Sequence, residues 1–301
     1  MDYDVVYKKF ISISEEADFP EQLGTKEKHW ISNNRYLFKR GRDETGEDWA
    51  EVVASALCEL LNIPHAAYCF AQDKDGRAGV ITKTIVPPGG LLIHGNELMK
   101  RHGDYEYAKT YHIHKYTLKR VAGLIRHLCN DGLNPPISVK ENLKESFYYF
   151  FMYLILDTLI GNQDGHHENW GIILLNNQMF LAETFDHASS LGRNDNPENK
   201  KRILSGKDKR LTIKEYCARA KTPFYNNDEE KRLTTIDACM YFSQMFHITD
   251  SIDLSVVNKE NLISIFDSLP TKEIKNGPDD VSIEFAIAMI LENKKRLTKG
   301  E

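Results

Sequence analysis

The chain has 301 residues, 41% hydrophobic and 28% charged, with 39 Lys and Arg against 44 Asp and Glu and a formal net charge of -5. This length buries a sizeable core without a metal or disulfide staple, and the composition excludes long disorder, collagen-like repeats and coiled-coil arrays. The acidic balance disfavours phosphate binding by the surface as a whole, so direct nucleic-acid binding is not expected.

The first ninety or so residues mix short strands with one helix. Tyr36-Leu37-Phe38-Lys39 reads as a short strand, followed by the turn-prone Gly41-Arg42-Asp43. Asp48 to Asn62 has helical apolar spacing, with Asp48 as its N-cap and Pro64 beyond its end. Ala66 to Ala71 and Ala78 to Val86 read as two strands around the turn Asp73-Lys74-Asp75-Gly76. Pro87-Pro88-Gly89-Gly90 then interrupts regular structure and is the expected hinge, dividing the chain at 1–88 and 89–301. Lys115 to Asn130 is amphipathic, and Glu141 to Ile160 reads as a long buried helix stopped by Gly161. The polar loop Asn162 to Asn169 comes next. Gly171 to Leu175 and Gln178 to Glu183, joined by Asn176-Asn177, form a hairpin. Arg193 to Arg210 is polar, basic and loop-like, and four helices follow at roughly 212–220, 230–246, 258–268 and 281–297. The fold class is therefore α+β, a small mixed lobe before a larger helical one.

Cys58, Cys69, Cys129, Cys217 and Cys239 show no metal-like spacing and read as reduced thiols. The charged N-terminus MDYDVVYKKF lacks a signal-peptide core, and the longest apolar run, Phe147 to Leu156, is shorter than the ~20 residues a membrane span needs. A cytoplasmic location and no membrane contact are expected.

The informative stretch is LIGNQDGHHENWGIILLNNQMFLAETFDHASSLG, Leu159 to Gly192. Asp164 and Asn169 stand in a D-x-x-x-x-N loop, a hairpin follows, and Asp186 lies at its exit. Protein kinases use this order of parts: an Asp that orients the acceptor hydroxyl, then an Asn and a second Asp that hold Mg2+. The grouping follows from charge, because a phosphoryl group in transfer must be neutralised and Mg2+ prefers hard oxygen ligands. Spacing alone also admits a plainer reading, with Asp164 and Asn169 as turn-formers and Asp186 as a helix N-cap. Upstream, Lys39 ends a strand and Glu51 lies in the first turn of the next helix, the order of an ATP lysine and its helix partner. Their plainer readings are a solvated edge lysine and a first-turn carboxylate. His166 and His167 lack the spacing of a metal pair; His166 more naturally orders the loop, and Trp170 packs beneath it. His94, His102, His112, His114 and His127 are scattered.

GNQDGHHENWG followed by LAETFDHASSLG resembles the HipA-like serine/threonine kinases, whose catalytic loop reads roughly N-x-D-x-H-x-x-N. Asn162, Asp164, His166, Asn169 and Asp186 meet that pattern. Gly24-Thr25-Lys26-Glu27-Lys28 is similar to the family's phosphate-covering loop, with Lys28 as its lysine and Lys26 where relatives often have Gln. The resemblance implies a bilobal protein-kinase-like fold, ATP and Mg2+ as cofactors, and transfer to Ser or Thr of a protein, in some relatives a translation factor. It implies Asp164 and His166 as catalytic residues, with Asn169 and Asp186 as metal ligands. Gly24, Lys28, Lys39 and Glu51 would serve the nucleotide, with adenine near Ile81 to Ile85 and Val86. An antitoxin-like regulator is a further implied partner. The short HipT-like and CtkA-like members fit best, because the extra N-terminal subdomain of HipA has no counterpart here. Many relatives carry an autophosphorylated Ser just before the loop glycine, where this chain has Pro20-Glu21-Gln22-Leu23. The resemblance also admits a pseudokinase, a nucleotide-binding regulator, or a kinase with a non-protein acceptor. The basic segment Arg193 to Arg210 takes the place of an activation segment that could dock an acidic partner.

Overall fold

A computed structural model describes residues 2–21, 27–42, 44–102, 113–141, 144–227, 230–248, 253–270 and 273–299. Gly24, Thr25, Lys26, Asp43 and His112 lie outside the described residues. In chain order the elements are β1 (Phe10–Ser12), β2 (Phe19–Pro20), β3 (Lys28–Ile31), β4 (Tyr36–Lys39), α1 (Glu47–Leu61), β5 (Tyr68–Gln72) and β6 (Ala78–Lys83). They continue with β7 (Leu91–His94), α2 (Gly95–Arg101), α3 (Leu118–Asn130), α4 (Ser146–Ile160), β8 (Gly171–Leu175) and β9 (Gln178–Leu181). The rest is α5 (Pro197–Ser205), α6 (Ile213–Ala218), β10 (Lys221–Tyr225), β11 (Arg232–Thr234), α7 (Thr235–Phe246), α8 (Lys259–Asp267) and α9 (Asp280–Lys299).

The first lobe is a six-stranded sheet in the order β1-β5-β6-β4-β3-β2, antiparallel except for the parallel β1–β5 pair. Side-chain alternation gives it two faces. Tyr36, Phe38, Cys69 and Ile81 join Ile31 in a small cluster on the outer face. Tyr68, Phe70 and Val80 turn inward and share a core with α1. That core continues without a break into α3, α4 and α9, so one apolar cluster links both lobes. Helix α4 is apolar on every side and packs against α3, α7 and α9, as a central helix must.

Helix α1 starts two residues earlier than Asp48 suggests: Gly46 is its N-cap, and Asp48 sits in the first turn beside Glu47. Helix α4 begins at Ser146 rather than Glu141. The Asn176-Asn177 turn forms as expected, with both residues in the left-handed region and Leu175 paired with Gln178. Strand β7 is an addition to the expected architecture; it pairs with β8 and turns the hairpin into a three-stranded sheet. Gly171 permits that approach, because a Cβ there would stand 2.4 Å from the Ile93 carbonyl oxygen.

Arg193 to Arg210 is not an extended basic loop. Asn196 caps the Asn199 N–H, Pro197 occupies the first turn and Gly206 ends α5 in a left-handed conformation. Lys200 is buried, 3% exposed, donating to Ser282 Oγ at 2.8 Å with its ammonium over the Trp49 ring. It therefore cannot serve as a docking cation for a partner. The expected helix at 230–246 is shorter, because Arg232–Thr234 pair with β10 and Thr234 caps α7. All five cysteines are free thiols. No helix among the described residues is long and apolar enough to cross a membrane.

Candidate active site

A cavity of about 1040 Å³ opens between the inner face of the sheet and the helical lobe. Lys28, Lys39, Thr82, Ile85, Asp164, His166, Asn169 and Asp186 all line it. Residues separated by more than a hundred positions thus meet in one concavity. Ile81 does not join them; it belongs to the outer-face cluster with Phe38 and Cys69, and its neighbour Thr82 takes the inward position. The segment Thr82 to Val86 lines the cavity, whereas Ile81 does not.

The centre of the site is Lys39. Its ammonium donates to the Tyr68 hydroxyl at 2.8 Å and stands 3.7 Å from Glu51 Oε2 and 3.6 Å from Asp186 Oδ1. Both Lys39 and Glu51 are buried, with side chains 6% and 1% exposed. Neither plainer reading therefore holds: Lys39 is no solvated edge lysine and Glu51 no surface dipole partner. Burial works against the Lys39 charge, but the Asp186 and Glu51 carboxylates outweigh it and hold the group above the ordinary lysine value. Glu51 Oε1 accepts the His187 backbone N–H at 2.7 Å, which ties α1 to the segment after the hairpin. Burial pushes His187 down to about 3, so its ring is neutral, and Nε2 pairs with Thr184 Oγ1 at 2.8 Å.

Asp186 follows the hairpin in a left-handed conformation, φ +64°, where an L-residue is strained. No helix starts there, which removes the N-cap reading. The strained backbone delivers the carboxylate between two cations: Oδ1 faces Lys39, and Oδ2 accepts from Lys28 Nζ at 3.3 Å.

The loop from Gly161 is held from within. Gly161 caps α4 in a left-handed conformation, and Asn162 returns to Asp157 twice, through its backbone N–H and its amide, both at 2.8 Å. Asn162 Oδ1 accepts the Asp164 N–H at 3.1 Å. The Asp164 carbonyl accepts the His166 N–H at 2.7 Å and Asn169 Nδ2 at 2.6 Å. His166 Nδ1 accepts the Glu168 N–H at 3.2 Å, so His166 orders the loop while its ring lines the cavity. His167 turns into the interior, where burial lowers it to about 4. Below the loop, Trp170 donates to the Tyr116 hydroxyl at 3.0 Å, and Tyr116 donates to the Gly165 carbonyl at 3.1 Å. His94 is not a bystander: its Nδ1 contacts the Glu168 carbonyl oxygen at 2.8 Å.

With the Asn169 amide nitrogen committed to Asp164, its oxygen is the atom left for a cation. That oxygen and the Asp186 carboxylate are both hard-oxygen groups on residues that line the cavity, the donor type Mg2+ takes. The ammonium groups facing Asp186 show that cationic charge is accommodated there.

Asp157, under the loop, was not singled out by sequence. Burial raises its carboxyl to about 7 despite the Asn162 hydrogen bond, and it faces a cavity of about 30 Å³. The folded state holds this proton where the unfolded chain has released it. The stability it supplies is full at low pH and is lost as pH rises from about 4 to about 7. His187 and His167 act in the opposite sense, losing stability as pH falls below about 6.5. Asp157→Asn keeps an acceptor for Asn162 and cannot ionise. We predict that denaturant midpoints measured at about pH 5 and about pH 8 show the variant gaining on wild type at the higher pH. Equal differences at both would remove Asp157 as a titrating group.

No family profile and no curated protein matches this sequence. Solved structures do match. The Helicobacter pylori proinflammatory kinase CtkA aligns over 96% of this chain and 95% of its own, at 20% identity and a TM-score of 0.67. HipA of Shewanella oneidensis MR-1, solved with HipB and operator DNA, aligns over 94% of this chain and 66% of its own at 10% identity and a TM-score of 0.47. An N-terminal fragment of Legionella pneumophila LepB aligns over 90% and 45%, at 15% identity and a TM-score of 0.36. The near-complete mutual coverage with CtkA establishes the architecture: this chain shares the two-lobed α+β fold of the CtkA kinase.

Proposed function

We propose that the protein is an ATP- and Mg2+-dependent kinase that transfers the γ-phosphoryl group to a Ser or Thr hydroxyl of a protein. The observation that carries this reading is the strained Asp186, held between Lys39 and Lys28 while Glu51 braces Lys39 from behind. A buried lysine with three anionic or hydroxyl partners is a fixed cation aimed into a cavity, as a triphosphate requires.

Lys39 and Lys28 would receive the phosphates, and Thr82 to Val86 would flank the adenine. Asn169 and Asp186 would hold Mg2+, which when bound neutralises phosphate charge. Asp164 would accept the hydrogen bond of the attacking hydroxyl and hold it in line. Its side chain is 42% exposed, open enough for an incoming acceptor. The Ser or Thr acceptor, a translation-factor target and an antitoxin-like regulator rest on the sequence resemblance.

Thermal unfolding tests the nucleotide site directly. A ligand at a hundred times its dissociation constant stabilises by about 2.7 kcal/mol, a shift of roughly 2–4 °C for a chain of this size. The shift with ATP should require Mg2+ in the wild type and disappear in Asp186→Asn. No shift in the wild type at saturating Mg-ATP would overturn the proposal.

A further inference from the structure

Two of the buried carboxylates of helix α1, Glu47 and Glu51, stand one turn apart. Glu51 serves Lys39, as described. Glu47, 1% exposed, belongs to a different network. Its Oε1 accepts from Arg193 Nη1, and from Arg42 Nη1 at 2.9 Å; its Oε2 accepts the Arg42 backbone N–H at 3.0 Å. The Gly46 N–H also donates to the Arg193 carbonyl, at 3.2 Å. Arg193 is thus fastened to the start of α1 by both backbone and side chain.

The free edge of that guanidinium faces the catalytic loop. Arg193 Nη2 donates to Ser189 Oγ at 3.1 Å, and Ser189 Oγ lies 3.0 Å from Asp164 Oδ2. The direction of this chain is fixed by chemistry. A guanidinium can only donate, so the serine oxygen accepts from Arg193, and its single proton points at the Asp164 carboxylate.

We propose that Ser189 and Arg193 are positioning residues that set the carboxylate of Asp164 from helix α1, through Glu47. One rigid helix then holds both ends of the reaction: Glu51 fixes the lysine that meets the nucleotide, and Glu47 fixes the aspartate that meets the acceptor. A shift of α1 would disturb both together, so the site is assembled or dismantled as a unit. This inference rests on the kinase reading and adds the acceptor-side half of its geometry.

The test uses the full chain, with dephosphorylated casein as acceptor and ADP release as a second readout. Ser189→Ala should lower kcat by about tenfold, a fraction of the roughly 10²–10⁴ a positioned base supplies, with KM for ATP unchanged. Ser189→Thr restores the hydroxyl and should recover most of the loss. Arg193→Lys keeps a cation beside the buried Glu47, so the protein stays folded, but one ammonium cannot replace the two-pronged fork. It should match Ser189→Ala, and the double variant should be no worse than either single one, because residues acting through one chain are not additive. Melting temperature with Mg-ATP confirms folding and nucleotide binding in each variant.

The proposal is overturned if Ser189→Ala keeps wild-type kcat, if Ser189→Thr is as impaired as Ser189→Ala, or if the two losses multiply. Phosphate found on Ser189 of the active enzyme would also overturn it, because a phosphoserine has no hydroxyl proton to offer the aspartate. A wild type that neither binds Mg-ATP nor releases ADP would instead defeat the kinase reading itself.

Discussion

Asp164→Asn should reduce phosphoryl transfer by roughly 10³-fold while Mg-ATP still raises the melting temperature as in wild type. The reasons are local. The Asp164 backbone carbonyl accepts the Asn169 amide and the His166 N–H, while the carboxylate meets the His166 ring only at 3.9 Å, so the loop keeps its frame when the carboxylate is replaced. An amide oxygen can still accept from Ser189. What disappears is the anionic oxygen that directs the acceptor hydroxyl. Asp164 touches neither Lys39 nor Lys28 in the described contacts, so the nucleotide end is left intact. Transfer to casein and the Mg-ATP melting shift are measured on the same preparations. A variant that keeps more than about a tenth of wild-type kcat removes Asp164 from the acceptor role. One that loses both transfer and the shift would place it in nucleotide binding instead.

The separation of these two ends explains which parts of the site could be read from the chain. The loop, the hairpin and Asp186 are neighbours in sequence, and their turn chemistry is local: Gly161 and the Asn pair take left-handed conformations that their residue types favour. Lys39 and Glu51 are close in sequence, and the strand-then-helix order already suggests a pair. Ser189 and Arg193 offered no such cue. Ser189 meets Asp164 across 25 positions and Arg193 meets Glu47 across 146, and neither contact leaves a periodicity to detect.

The errors have equally specific causes. Ile81 is one residue out of phase with the cavity-lining Thr82, and in a strand a single step moves a side chain to the other face. Strand β7 is four residues long and lies directly after Pro87-Pro88-Gly89-Gly90, so the breaker hid the pairing that β8 provides. Helix α5 did carry a signal in Asn196-Pro197 and Gly206, but its high charge read as solvation. Lys200 shows why charge density is a poor guide there: the side chain is buried and its ammonium finds Ser282 and the Trp49 ring.

Lys39→Met should abolish detectable transfer and also destabilise the fold by about 3 kcal/mol. Glu51 is 1% exposed, so removing its cation leaves a buried carboxylate with a backbone N–H in place of a charge partner of full strength. Adding Glu51→Gln to Lys39→Met should recover most of the lost stability, because the neutral amide removes the unpaired buried charge and keeps an acceptor for the His187 N–H. It should recover none of the activity. This contrast distinguishes the two things an ion pair can do. If Lys39 and Glu51 were present to hold α1 on the sheet, the double variant would behave as a folded and working protein, since Val52, Val53 and Ala56 already bury the helix against its neighbours. If they are present to keep a cation facing Asp186, stability returns and function does not. Denaturant midpoints and ADP release, measured on wild type, single and double variants, decide between these roles. A double variant that regains transfer would sink the assignment of Lys39 to the phosphates. A single variant as stable as wild type would show that Glu51 protonates or finds another partner when the lysine is gone.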